Sequence, residues 1–307
     1  MPEIKKTYRA HGKLLLTAEY LVLHGANAIA LPLKYGQQME VLESDQHDVL
    51  SWQAFSPEGC WFFGEFQLPE LEIRSSSNHE KAITLQNVLK TIREMNSEFR
   101  FENGLDIHTT IDFHSEWGFG SSSTMIANLA SWSGVDPYEL NERLFHGSGF
   151  DIACAAADGP VLYCRKERAK DIQLDYSFID QLYFVYSGSK KSTHSEVRRF
   201  LSDTTVSDLQ LEKVNRLTDQ IAGAKSLDEF QILLEKHETL VGELLGTEPI
   251  QQKYFPDFPG KMKSLGAWGG DFYLAAANKD RASILQYFKE KGLQVVFPWK
   301  DLILNNR

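Results

Sequence analysis

Residues 116–124 read Glu-Trp-Gly-Phe-Gly-Ser-Ser-Ser-Thr and run into Met-Ile-Ala-Asn-Leu-Ala at 125–130, a glycine and serine loop that turns into an apolar helix. Such a loop can cradle an anion. Gly118 and Gly120 have no Cβ, so the backbone can curve tightly and approach a ligand, while Ser121, Ser122 and Ser123 bring hydroxyls and N–H groups to a helix start. A phosphate suits the place, because those N–H groups and the helix dipole both favour negative charge. The competing reading is a plain turn and N-cap. No Gly-Lys-Ser or Gly-Lys-Thr closes the loop, so it is not the P-loop of the commonest nucleotide hydrolases.

Five further places could carry chemistry. Lys13 stands in Ala-His-Gly-Lys-Leu-Leu-Leu at 10–16, just inside an apolar strand. It is either a cation facing a substrate or an acid, or a lysine snorkelling from an edge. Asp151 follows His-Gly-Ser-Gly-Phe at 146–150. It is either a turn and helix cap, or a carboxylate that accepts a proton from a hydroxyl or positions it. Glu142, nine residues earlier on the preceding helix, is either a magnesium ligand or a solvated glutamate. Residues 187–195, Ser-Gly-Ser-Lys-Lys-Ser-Thr-His-Ser, make either a second anion site or a polar capping loop. Residues 266–271, Gly-Ala-Trp-Gly-Gly-Asp, form a second glycine-rich turn where backbone could approach a ligand.

The elements that must position these residues are legible from periodicity. Strands are expected at 14–16, 20–23, 39–42 and 49–55, and again at 105–111, 161–164, 182–186, 272–276 and 293–297. Helices are expected over 78–95, where Leu85, Val88, Leu89, Ile92 and Met95 share a stripe, and over 121–132 and 137–145, the last behind Asp136 as cap. Two long helical patterns follow at 195–224 and 227–245, the second opened by a Ser226 and Glu229 capping-box spacing; their alternating charges read as solvated faces. A helix over 280–291 completes the set. Strands and a loop-helix first, then helices on a small sheet, predict an α+β protein of two lobes with a polar boundary between about 168 and 181.

Composition narrows the partners. At 307 residues there is room for two domains, and 32 Lys and Arg against 42 Asp and Glu leave a net charge of −10, which argues against nucleic acid held by a basic surface. No apolar run approaches the ~20 residues needed to span a bilayer, and the amino terminus has no signal-peptide core. A soluble, cytoplasmic protein with a small-molecule substrate and no membrane partner is expected, and nothing in the sequence chooses between monomer and homodimer. Cys60, Cys154 and Cys164 lack metal-type spacing and read as reduced packing residues.

Taken in order, three segments resemble the motifs of the GHMP kinase family. Gly12, Lys13, Leu16, Glu19 and Tyr20 are similar to its Pro-Gly-Lys-x-x-Leu-x-Gly-Glu-His/Tyr pattern, with His11 and Ala18 in place of proline and glycine. Residues 118–123 resemble its Gly-Leu-Gly-Ser-Ser-Ala signature. Lys263, Gly266, Ala267, Gly269, Gly270 and Asp271 resemble Lys-x-x-Gly-Ala-Gly-Gly-Gly-Asp, with Trp268 where the family has glycine. Residues 147–153 and the Ser192-Thr193 loop look most like the members acting on phosphomevalonate, whereas Glu142, Arg143, His146 and Gly147 are closer to those acting on mevalonate.

The resemblance implies an amino-terminal ATP-binding lobe over 1–175 with a left-handed βαβ crossover, and a ferredoxin-like lobe over 176–307. It implies ATP and Mg2+ as cofactors, with Gly118, Gly120, Ser121, Ser122 and Ser123 wrapping the ATP phosphates and Ser122 and Glu142 at the metal. Asp151 would be the base and Lys13 would neutralise charge beside it. Ser192, Thr193 and Lys190, with Gly269 and Gly270, would hold the acceptor. The expected activity is phosphoryl transfer to a mevalonate-pathway acceptor, with a non-catalytic ligand-binding paralogue, or a kinase for another alcohol or sugar, as the alternative.

Overall fold

The β-branched and aromatic runs of the first third form five strands in the computed structural model, which describes residues 4–101, 103–189, 200–202, 204–266 and 270–305. They are β1 (Ile4–Leu15), β2 (Ala28–Glu43), β3 (Val49–Ser56), β4 (Gly59–Gln67) and β5 (Glu72–Ser76). The strand expected at 20–23 is instead a 3-10 turn, Leu21–His24, entered by Tyr20 at φ 64° and closed by Gly25 at φ 89°. Left-handed residues so close together cannot lie in an extended ladder. Next come α1 (His79–Met95), capped by the Asn78 side chain, β6 (Leu105–Ile111), α2 (Ser121–Ser133), α3 (Pro137–Phe145), capped by Asp136, and α4 (Phe150–Ala156).

The chain divides into two compact units. The first takes Met1–Gly12, Tyr35–Ser115 and Phe119–Ala156. Its strands lie in the order β5-β4-β3-β6-β2. β3 and β6 are parallel, from Leu50 opposite Leu105 to Phe55 opposite Thr110, so a crossover is needed, and β4, β5 and α1 provide it. Trp52, Phe66, Leu89, Ile107 and Leu129 are among the buried residues of its core.

The second unit takes Lys13–Lys34, Glu116–Gly118 and Ala157–Arg307. In it, Ala28, Ile29 and Ala30 of β2 pair with β7 (Val161–Cys164), which pairs with β8 (Arg168–Asp171). The remaining elements are β9 (Leu182–Tyr186), α5 (Asp208–Gly223), α6 (Leu227–Leu245), α7 (Ile250–Tyr254), β10 (Lys261–Leu265), β11 (Phe272–Ala276), α8 (Arg281–Glu290), β12 (Val296–Pro298) and α9 (Trp299–Leu302). β9 to β12 form an antiparallel sheet in the order β10-β11-β9-β12, and the β-α-β-β-α-β chain order is that of a ferredoxin-like unit, as expected.

Several expected boundaries move. Of the long pattern at 195–224, residues 195–199 lie outside the described residues and 200–202 are helical; residues 204–206, Thr-Thr-Val, are non-helical, and Ser207 with Gln210 makes a full capping box that starts α5 afresh. The last strand begins at Val296 because the Leu293 N–H is spent on the Phe288 carbonyl behind Gly292 at φ 81°. Cys60 is exposed and is not a packing residue; Cys154 is buried and Cys164 half-buried. Among the described residues no helix is long and apolar enough to cross a membrane.

Candidate active site

Gly118 and Gly120 adopt φ values of 68° and 90°, left-handed angles that cost glycine nothing. Gly120 is the N-cap of α2 and no side chain caps that end, so the 13-residue helix opens with its first-turn N–H groups uncapped. The three serines are not equivalent. Ser121 is half-buried, Ser122 is exposed, and Ser123 is buried with its hydroxyl donating to the Gly120 carbonyl at 2.8 Å. A turn stabilised by a capping hydroxyl would look different.

What holds this helix start in place was not read from the sequence. Gln37, buried on β2, accepts from the Thr124 hydroxyl at 3.0 Å, and its carbonyl accepts from the Asn128 side chain at 3.0 Å. Buried polar groups need such partners, and here they tie the first two turns of α2 to a strand. Gln37 and Gln38 interrupting an apolar strand were the available signal.

Asp151 lies in the first turn of α4, after Gly149 at φ 92°, and is therefore inside the helix and not its cap. Buried Ile152, Ala153, Cys154 and Ala155 anchor the helix behind it. Ala127 of α2 and Ala155 of α4 pack together with Ala10, small residues that let the helix bearing Asp151 approach the helix that follows the glycine loop. Glu142 is on the exposed side of α3, with His146 Nδ1 4.0 Å from its carboxylate. α3 packs on both α2 and α4. In the second unit, Lys13 is half-buried on β1 between buried Gly12 and buried Leu14.

The second glycine turn joins β10 to β11. A Cβ at Gly118 would overlap the carboxylate of Asp271, so that carboxylate lies directly against the backbone of the first loop. Tyr186 stands beside it: the tyrosine hydroxyl donates to the Glu116 carbonyl at 3.3 Å, and burial, then the charges of Glu116 and Asp271, raise its pKa. Gly270 is buried. Lys190, Ser192, Thr193, Trp268 and Gly269 lie outside the described residues. A cavity of about 680 Å³ in the first unit, lined by His47, Asp48, Arg93 and Arg100 among others, contains none of the residues singled out from the sequence.

No protein-family model matches the chain, and no curated protein matches it by sequence. Solved structures do match. Mevalonate kinase of Methanococcus jannaschii superposes with a TM-score of 0.72 at 15% identity, covering 98% of each chain. Phosphomevalonate kinase of Streptococcus pneumoniae, in complex with phosphomevalonate and AMPPNP, gives 0.67 at 16% identity over 97% of this chain and 98% of that one. Galactokinase of Lactococcus lactis, complexed with galactose, gives 0.64 at 12% identity over 94% and 90%. The chain has the GHMP kinase fold.

In this GHMP kinase fold, residues quoted only for their motif resemblance turn out to be deeply buried and in contact. Glu19, from the first motif, and Lys263, at the head of the last, are 3% and 1% exposed and form an ion pair. His237 and Glu238 of α6, 0% and 2% exposed, complete the group. The alternating charges of that helix were expected to be a solvated face; these two residues instead fall on its apolar stripe with Phe230, Leu234 and Val241. The spacing of that stripe was the signal for them.

Burial raises the Glu19 pKa against the opposing charge of Lys263, and burial followed by the Lys263 charge holds His237 well below its usual value. Burial, aided by Glu19 and opposed by Lys263, pushes Glu238 from 4.5 up to about 7, with the Ser264 and Ile250 N–H groups donating to its carboxylate. A raised folded-state pKa means that the stabilising contribution is complete below 4.5 and is lost as pH rises through 7, by about 3 kcal/mol in all. Glu238→Gln is therefore expected to flatten the stability profile over that interval. Urea unfolding at pH 4.5, 6 and 8 measures it, and parallel profiles for the two proteins would show that Glu238 titrates normally.

Proposed function

We propose that the protein is an ATP- and magnesium-dependent small-molecule kinase that phosphorylates a mevalonate-pathway acceptor, phosphomevalonate or mevalonate. One observation carries the reading: α2 opens uncapped from a left-handed glycine turn, on a fold shared with kinases of both acceptors. The first-turn N–H groups of α2 and the glycine backbone at Gly118 and Gly120 would hold phosphate oxygens. Ser122, with an exposed side chain, and Glu142 would offer the hard oxygen donors that suit magnesium. ATP with its magnesium supplies the transferable phosphoryl group. Asp151 takes the proton of an alcohol acceptor, or orients a phosphate acceptor, and Lys13 offsets the negative charge that gathers at the reacting centre. Lys190, Ser192, Thr193, Gly269 and Gly270 hold the acceptor, with the nucleotide lobe formed by 1–175 and the remainder by 176–307.

The test is ADP release by the purified chain with Mg-ATP across mevalonate, 5-phosphomevalonate, galactose, other sugars and amino-acid alcohols. Turnover with either mevalonate compound is expected. Turnover only with a sugar or another alcohol would move the acceptor, and none with any of them, despite ligand binding, would leave a binding protein on a kinase fold.

A further inference from the structure

Ala18 and Tyr20, at φ 62° and 64°, are both non-glycine residues in the left-handed region, and they flank Glu19. Such backbone persists only where surrounding structure over-determines it. Here the surroundings are buried and polar. The Ala18 N–H donates to His237 Nε2 at 2.8 Å, which fixes the imidazole as the neutral tautomer with its proton on Nδ1. Glu19 Oε1 pairs with Lys263 Nζ, which also donates to the Ser264 carbonyl at 2.8 Å, and Glu19 Oε2 lies 3.7 Å from His237 Nε2. His237 Nδ1 has no hydrogen-bond partner among the described residues, so the contact at Nε2 is the polar bond that the buried ring makes there.

The position of this group gives it a consequence. The strained turn follows Lys13 by five residues, and Lys263 precedes the turn at Gly266 by three, in the strand whose loop ends at Asp271, against Gly118. We propose that His237, with the Glu19–Lys263 pair, is a buried clamp that holds the left-handed turn at 18–20 and thereby sets Lys13 and Gly266 at fixed places, which makes His237 a positioning residue for phosphoryl transfer. The catalytic part rests on the kinase reading above; the clamp itself does not.

Backbone strain makes the test specific. In the full chain, His237→Leu removes the acceptor for the Ala18 N–H, and it is expected to lower kcat between about 10- and 100-fold, the size of effect that small misplacements of reacting groups produce, with KM for ATP within about twofold. His237→Gln keeps an oxygen acceptor and is expected to retain most of the wild-type rate. Ala18→Gly, which makes the left-handed angle free of strain, is expected to leave the wild type unchanged yet to restore most of the loss in the His237→Leu background. The same order is expected in thermal unfolding, which needs no substrate. A side chain that matters only for packing would not be rescued by deleting a methyl group elsewhere. Failure of Ala18→Gly to rescue, or equal damage from the Gln and Leu variants, would overturn the clamp. If His237→Leu alone does not fold, recovery of a folded double variant is the expected result and its absence counts against the proposal. A wild-type chain without kinase activity that still shows the rescue in unfolding would sink the kinase reading and leave the clamp standing.

Discussion

Asp151→Asn is expected to lower kcat by about 10²- to 10⁴-fold, the range that general-base groups contribute, while leaving the fold and nucleotide affinity intact. Asparagine has nearly the same shape as aspartate, and the residue sits within α4, where buried Ile152, Ala153, Cys154 and Ala155 and the left-handed Gly149 fix the backbone independently of the carboxylate. What changes is chemical: an amide cannot take a proton. The size of the loss also separates the two acceptors, because an alcohol must surrender a proton whereas a phosphate acceptor enters already ionised and needs only orientation. A loss near the upper end favours mevalonate and one near the lower end favours phosphomevalonate. Steady-state kinetics with both acceptors, beside a thermal melt of the variant, measures this, and a rate within threefold of wild type would remove Asp151 from the mechanism.

Lys263→Met is expected to destabilise the protein by about 3–5 kcal/mol, since removing one partner of a buried ion pair leaves the other charge uncompensated. The Glu19 carboxylate is 3% exposed and already raised by burial, with the neighbouring lysine as the force opposing that rise. Without Lys263 it has to be protonated or stay charged at high cost. The sign with pH follows: a carboxyl raised further in the folded state loses stability as pH rises, so the deficit is expected to shrink on acidification. Glu19→Gln combined with Lys263→Met is expected to recover a large part of the loss, because no bare charge then remains. Urea unfolding of both single variants and the double one forms the cycle, and additive effects would mean that the pair does not act as a unit.

The elements on which these arguments stand were legible to different degrees. α1, α3, β6, β7, β9 and β11 begin and end within a residue or so of where periodicity and capping placed them, because each carries its own signals: Asn78 and Asp136 as caps, and alternation in Leu105–Ile111. The 3-10 turn at Leu21–His24 was misread as a strand because Tyr-Leu-Val-Leu has strand composition, while the left-handed angles at Ala18 and Tyr20 depend on contacts more than two hundred residues away. Gln37 was missed for a related reason. Its partners Thr124 and Asn128 are 87 and 91 residues distant, so the polar pair interrupting the strand marks the place without naming what it binds.

By itself, the sequence determined the α+β class, the order of most elements and the glycine loop with its helix, since those follow from local spacing and from residues without a Cβ. Only the tertiary structure decided that Asp271 lies against Gly118, that α2 is pinned by Gln37, and that Glu19, His237, Glu238 and Lys263 share one buried site. Whether a charge is solvated or buried depends on what long-range packing brings to its face, and a pKa of about 7 for Glu238 exists only once water has been removed from around it.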